Sequence, residues 1–115
     1  MTKQCKSFQE LSKRTSTNVM CTNGITSVAY HNTVVFHTDG QELTLDTGGF
    51  KTKTTKDRMN TALNLCSVTF PLHLSVIQRK NKWFVVDGDL NRVCAFDSDS
   101  ITINLDAIRE HKHVA

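Results

Sequence analysis

Residues 43–66, LTLDTGGFKTKTTKDRMNTALNLC, constrain the fold more than any other stretch of the chain. They hold the end of a strand, a paired glycine, a link rich in threonine and lysine, and an amphipathic helix. Met59, Ala62, Leu63 and Cys66 fall at i, i+3, i+4 and i+7, one apolar stripe at helical period. Lys56, Asp57, Asn60, Thr61 and Asn64 take the other face. Thr54 or Thr55 is the expected cap, with Asp57 three residues after Thr54 in a box-like arrangement.

Ahead of the helix the period is two. Residues 25–30 and 33–37 form strands joined by a tight turn at His31-Asn32, and 42–46 a third strand after a turn of the primed type at Asp39-Gly40. Leu43 and Leu45 alternate with Thr44 and Asp46, so that strand has one buried and one wet face. Three short strands with tight turns make an antiparallel meander. Residues 16–24 are expected as a loop ending in the Asn23-Gly24 turn, preceded by a short docked helix with Ser7 and Glu10 at capping-box spacing and Phe8 and Leu11 on one face. Beyond the helix, a connection containing Pro71 leads to a hairpin of 74–78 and 82–86 across Arg79-Lys80-Asn81. Residues 92–96 and 101–105 are expected to pair around Ser98-Asp99-Ser100, and the tail to make a helical turn through Ile108. Phe36-His-Thr-Asp-Gly40 ahead of Leu43-Thr-Leu45 is echoed by Phe96-Asp-Ser-Asp-Ser100 ahead of Ile101-Thr-Ile103.

At 115 residues the chain suits one domain with a modest core. No apolar run approaches the roughly 20 residues that cross a bilayer, and the first residues lack an apolar signal-peptide core. Cys5, Cys21, Cys66 and Cys94 show no C-x-x-C spacing and are expected as reduced thiols. A net charge of +3 permits a nucleic-acid partner without arguing for one. The fold expected is a single α+β domain, an antiparallel sheet of five to six short strands, open or curled into a small barrel, with one main helix. Residues 1–24 form its docked N-terminal piece, 25–105 its body and 106–115 a tail.

Val28-Ala-Tyr-His-Asn-Thr-Val-Val35, the run from Leu43 to Asn60, Val76-Ile-Gln78 and Trp83-Phe-Val85 carry a resemblance. They are similar to a family of small, functionally uncharacterised tailed-bacteriophage proteins with a TGGW-x-T-x-TTK-x-RMN core. The likeness covers about residues 25–105, with Phe50 where the family pattern has tryptophan. It implies phage origin, a compact α+β module and a place in the cytoplasm of the infected host cell. No activity follows from it.

The chemistry is concentrated in residues 47–58. Gly48 and Gly49 permit positive φ and convergent amides, and the segment feeds a helix N-terminus where free N–H groups carry partial positive charge. Thr54 and Thr55, with Thr52, add hydroxyls; Lys51, Lys53, Lys56 and Arg58 add formal charge. These are the ingredients of a phosphate cradle, although the spacing is not that of a Walker A loop. The same residues also have a purely structural explanation: a glycine turn, lysines that keep an edge from pairing, a threonine cap and an arginine paired with a carboxylate. Trp83 and Phe84 alternate on a strand, so one enters the core. The other, with Tyr30, Phe36 or Phe50, can offer a stacking face. His31, His37, His111 and His113 lack structural zinc spacing. Pairing Cys94 with His37, or Asp46 with Asp87, is too arbitrary for catalysis. The expectation is therefore a non-enzymatic phage accessory protein without metal or cofactor. It binds nucleic acid or another phosphate-bearing ligand through residues 47–58; the alternative is a protein inhibitor or modulator of a host enzyme or defence factor.

Overall fold

The computed structural model describes residues 7–49, 51–66, 74–87, 92–96 and 98–107. The chain is α+β, with element order α1 (Phe8–Leu11), β1 (Thr17–Thr22), β2 (Ile25–Tyr30), β3 (Thr33–Thr38), β4 (Glu42–Asp46), α2 (Lys53–Leu65), β5 (Ser75–Arg79), β6 (Lys82–Val86), β7 (Arg92–Ala95) and β8 (Ser100–Asn104). The strands form two antiparallel sheets, β1-β2-β3-β4-β8 and β5-β6-β7, and neither closes into a barrel.

Three strand expectations change. Residues 17–22 are not a loop but strand β1, joined to β2 by a two-residue turn at Asn23 and Gly24, whose φ values are +53° and +80°. The apolar residues of β1 are adjacent rather than alternating, and most of its side chains are exposed. Its place comes from backbone pairing with β2. Residues 92–96 and 101–105 do not pair with each other: β7 adds to β6, while β8 crosses over to β4. The echoed segments thus meet as neighbours, with Leu43 opposite Ile103, Thr44 opposite Thr102 and Leu45 opposite Ile101. The turn expected at Asp39-Gly40 is centred one residue later, on Gly40 and Gln41, because Thr38 pairs with Leu43 and the Asp39 N–H bonds to Glu42 O. Only Gly40 has positive φ, and the Asp39 carboxylate accepts the N–H groups of Gln41 and Glu42, each at 2.9 Å.

One core joins both sheets and the helix. Val28, Val35, Phe36, Leu43, Leu45, Ile103 and Leu105 meet Met59, Ala62, Leu63 and Cys66 of the α2 stripe, and Leu74, Val76, Trp83, Val85 and Phe96 close it from the smaller sheet. A register shift after Val28 puts Phe36 opposite Val28 and Val34 opposite Ala29, so both Val35 and Phe36 turn inward. Leu11 of α1 is buried in the same core, and the Ser7 side chain accepts the Glu10 N–H. Asn60, expected on the wet face of α2, is half-buried. Its side chain donates to Val76 O (3.1 Å) and accepts from Val76 N (2.7 Å), so it occupies the edge of β5 as a neighbouring strand would. Pro71 and the end of the turn at Ile108 lie outside the described residues.

Candidate nucleic-acid interface

Residues 47–58 divide into three environments. After β4, the Thr47 N–H bonds to Asp99 O (2.8 Å) and its hydroxyl donates to Asp99 Oδ1 (3.3 Å). Gly48 and Gly49 follow with φ of +64° and +88°. The Gly48 N–H donates to Asp46 Oδ1 (2.8 Å), and the Gly49 N–H to Thr47 Oγ1 (3.2 Å). A Cβ on Gly48 would stand 2.5 Å from Thr33 Oγ1, so glycine is required here for close approach as well as for φ. Both amides are thus committed within the chain, and their neighbours are the carboxylates of Asp46 and Asp99. This half of the segment is electrostatically unfavourable for an anion.

The second environment is the start of α2. Thr52, not Thr54 or Thr55, is the N-cap: its hydroxyl accepts the Thr55 N–H at 3.2 Å and lies 3.0 Å from the Thr55 hydroxyl. The helix thus begins two residues earlier than a Thr54 cap would place it, and Thr55 is buried. Lys51 and Lys53 are exposed, and Thr54 is half-buried. Lys56 leaves the helix toward the smaller sheet, with its Nζ 3.4 Å from Gln78 Oε1 and 5.8 Å from the centre of the Trp83 ring. Arg58 is buried: its Nε donates to Thr17 Oγ1 (2.9 Å), its Nη1 to Asp57 Oδ2 (2.8 Å), and its guanidinium lies 5.4 Å from the centre of the Tyr30 ring. Arg58 thus pins α2 to β1 and β2.

The third environment is a cleft of about 400 Å³ beside the helix start, lined by Tyr30, His31, Thr33, Val35, Thr47, Thr52 and Thr55. It is a wall of hydroxyls and two rings, Tyr30 and His31, whose centres are 4.4 Å apart. Neither glycine and none of the lysines lines it.

Where Lys56 reaches Gln78, it meets cations from outside residues 47–58. Arg79, Lys80 and Lys82 are exposed around the tip of the β5–β6 hairpin, where Lys80 and Asn81 have φ of +52° and +66°. Their signal in the sequence is the run QRKNKW, which contains three cations and no carboxylate. Strand alternation and register place Arg79 opposite Lys82 on the outer face, in line with Ile77, Phe84 and Ala95, which are half-buried. Trp83 and Phe36 are core residues, so of the expected stacking rings Phe84 and Tyr30 retain exposure; Phe50 lies outside the described residues.

Among the described residues no three His, Cys, Asp or Glu side chains form a metal-ligand set. His37 Nδ1 lies 2.7 Å from Ser27 Oγ in the larger sheet, whereas Cys94 is on β7 of the smaller one. No disulfide joins Cys21, Cys66 or Cys94. Cys5, His111 and His113 lie outside the described residues. No described helix is long and apolar enough to cross a membrane.

Comparison with curated proteins and with solved structures found no match. The family model of the Kyanoviridae Gp96 protein matches residues 1–103, nearly the whole chain and all of the central motif. The chain therefore belongs to the Kyanoviridae Gp96 protein family, a family of small phage proteins.

Proposed function

We propose that this phage protein is a non-enzymatic accessory protein of the infected cell's cytoplasm that binds nucleic acid. Its phosphate contacts come from Lys53 and Lys56 of α2 together with Arg79, Lys80 and Lys82 of the β5–β6 hairpin, and Lys51 lies just ahead of the helix. The observation that carries this is the position of Lys56, which bridges helix and hairpin through Gln78 and so joins two groups of cations distant in sequence. The nearest carboxylate on the helix, Asp57, is already paired with Arg58. Clustered lysine and arginine beside a polyanion gain most of their binding free energy by releasing condensed counterions. That mechanism needs surface charge, not a closed pocket.

The test is titration of labelled single- and double-stranded oligonucleotides at several salt concentrations. Changing Lys53, Arg79, Lys80 and Lys82 to Gln should weaken binding and reduce the log–log salt slope by roughly 0.7–0.9 for each phosphate no longer neutralised. Stability should hardly change, because all four side chains are exposed. Wild-type protein without salt-dependent affinity would overturn the proposal. The second reading, a modulator of a host protein, would then lead. It is supported by the outer face of the larger sheet, where Met20, Ile25 and Val34 are exposed to 69%, 42% and 47%.

A further inference from the structure

We infer that β1 is a self-complementary edge through which two copies of the chain join, extending the five-stranded sheet across a twofold axis at Met20. The inference does not depend on the nucleic-acid proposal. It begins with hydrogen bonding. A two-residue turn makes Thr22 and Ile25 the first hydrogen-bonded pair of the β1–β2 hairpin, and bonded pairs then alternate along it. Asn18 and Met20 therefore also face β2, while Thr17, Val19 and Cys21 turn their N–H and C=O groups away from it. Two bonds at the base confirm the phase: Ser16 O accepts the His31 N–H (2.7 Å), and the Thr17 N–H turns outward to Arg14 O (3.2 Å). Among the described residues nothing bonds to the outward groups of Val19 and Cys21.

These two residues determine the register. With the axis at Met20, Val19 of each copy faces Cys21 of the other as a bonded pair, and all their outward groups are used. Moving the axis to Val19 would demand the Thr17 N–H already held by Arg14, and moving it to Cys21 would leave Val19 opposite the turn. The side chains agree with the backbone. Asn18 meets Thr22, Val19 meets Cys21, and Met20, 69% exposed, is covered by its own counterpart in a close non-bonded pair.

The β5 and β8 edges differ. Natural edge strands avoid pairing through charges, proline or a covering group. Residues 17–22, TNVMCT, contain no charge and no proline. The β5 edge is occupied by Asn60. β8 is bracketed by Asp99 and Asp106, which antiparallel self-pairing would bring together.

The experiment is the mass of the purified full-length chain in solution by light scattering and sedimentation, from micromolar to millimolar concentration. A dimer, twice 12.9 kDa, is expected. Cys21→Pro removes an outward N–H that the hairpin does not use, so it should yield a monomer with an unchanged circular dichroism spectrum. Met20→Lys sets two ammonium groups against each other at the axis and should do the same, which covers the case that the proline variant does not fold. In the Met20→Cys, Cys21→Ala variant the introduced thiols face each other and should cross-link on oxidation. A monomeric wild type, a Met20→Lys variant that stays dimeric, or a dimer whose Met20→Cys thiols do not cross-link would each overturn the inference.

Discussion

Two polar residues show how single side chains fix local geometry. The Asp39 carboxylate accepts the N–H groups of Glu42 and Gln41, and these bonds hold its carboxyl below the usual aspartate range. Since the folded-state pKa is the lower one, the stabilisation is complete above the unfolded-state value and is lost as pH falls through the folded-state value. Melting curves of the parent and of Asp39→Asn should therefore differ at neutral pH and converge in acid. Arg58 has more at stake because it is buried with two side-chain partners and a ring. Lysine keeps the charge but cannot hold Thr17 and Asp57 with one planar fork. Arg58→Lys should cost about 1.5–3 kcal/mol in denaturant unfolding, the scale of a hydrogen bond to a charged group. A shift in nucleic-acid affinity without that loss of stability would mean that the guanidinium contacts ligand.

Among the elements, α2 connects stability with the proposed interface. Its cap is Thr52, so Thr52→Ala should destabilise the protein by about 1 kcal/mol, with a range of about 0.5–2. Thr54→Ala should be nearly silent, since Thr54 caps nothing. Chemical unfolding of the two variants separates these outcomes. The apolar stripe, by contrast, is legible in full from the sequence: Met59, Ala62, Leu63 and Cys66 are all buried. What the stripe does not convey is the second, polar attachment of the helix. Asn60 binds the edge of β5 and Lys56 reaches Gln78, and an amide or ammonium on a nominally wet face looks the same in sequence whether it meets water or a strand.

In the whole molecule, one core is shared by two sheets and two helices. Leu63 belongs to it, 3% exposed on α2. Leu63→Ala should cost about 2–5 kcal/mol through lost burial and the cavity left behind. Thermal and denaturant melts check it, and a variant that melts like its parent would mean that the sheets do not share this core. The molecule also separates its charges. Asp46 and Asp99 gather at the glycine turn, while Lys56, Arg79, Lys80 and Lys82 gather where α2 meets the β5–β6 hairpin.

What the chain determined alone were features governed by neighbours a few residues apart. The meander of β2 to β4, the stripe of α2, the Ser7 cap and the β5–β6 hairpin follow from periodicity, turn residues and capping, which act within one turn or one hairpin. Tertiary structure decided the rest, because long-range partners leave no local period. An edge strand such as β1 is held by its neighbour's backbone and needs no apolar alternation. The separation of β7 from β8 depends on the partners each strand finds in β6 and β4, which lie outside both segments. The candidate interface follows the same logic: the positive charge of residues 47–58 is plain in the sequence, but not that Gly48 and Gly49 face carboxylates, that Arg58 is buried, or that Lys56 joins a hairpin 22 residues away. Charge is a property of residues, whereas a charged surface is a property of the fold.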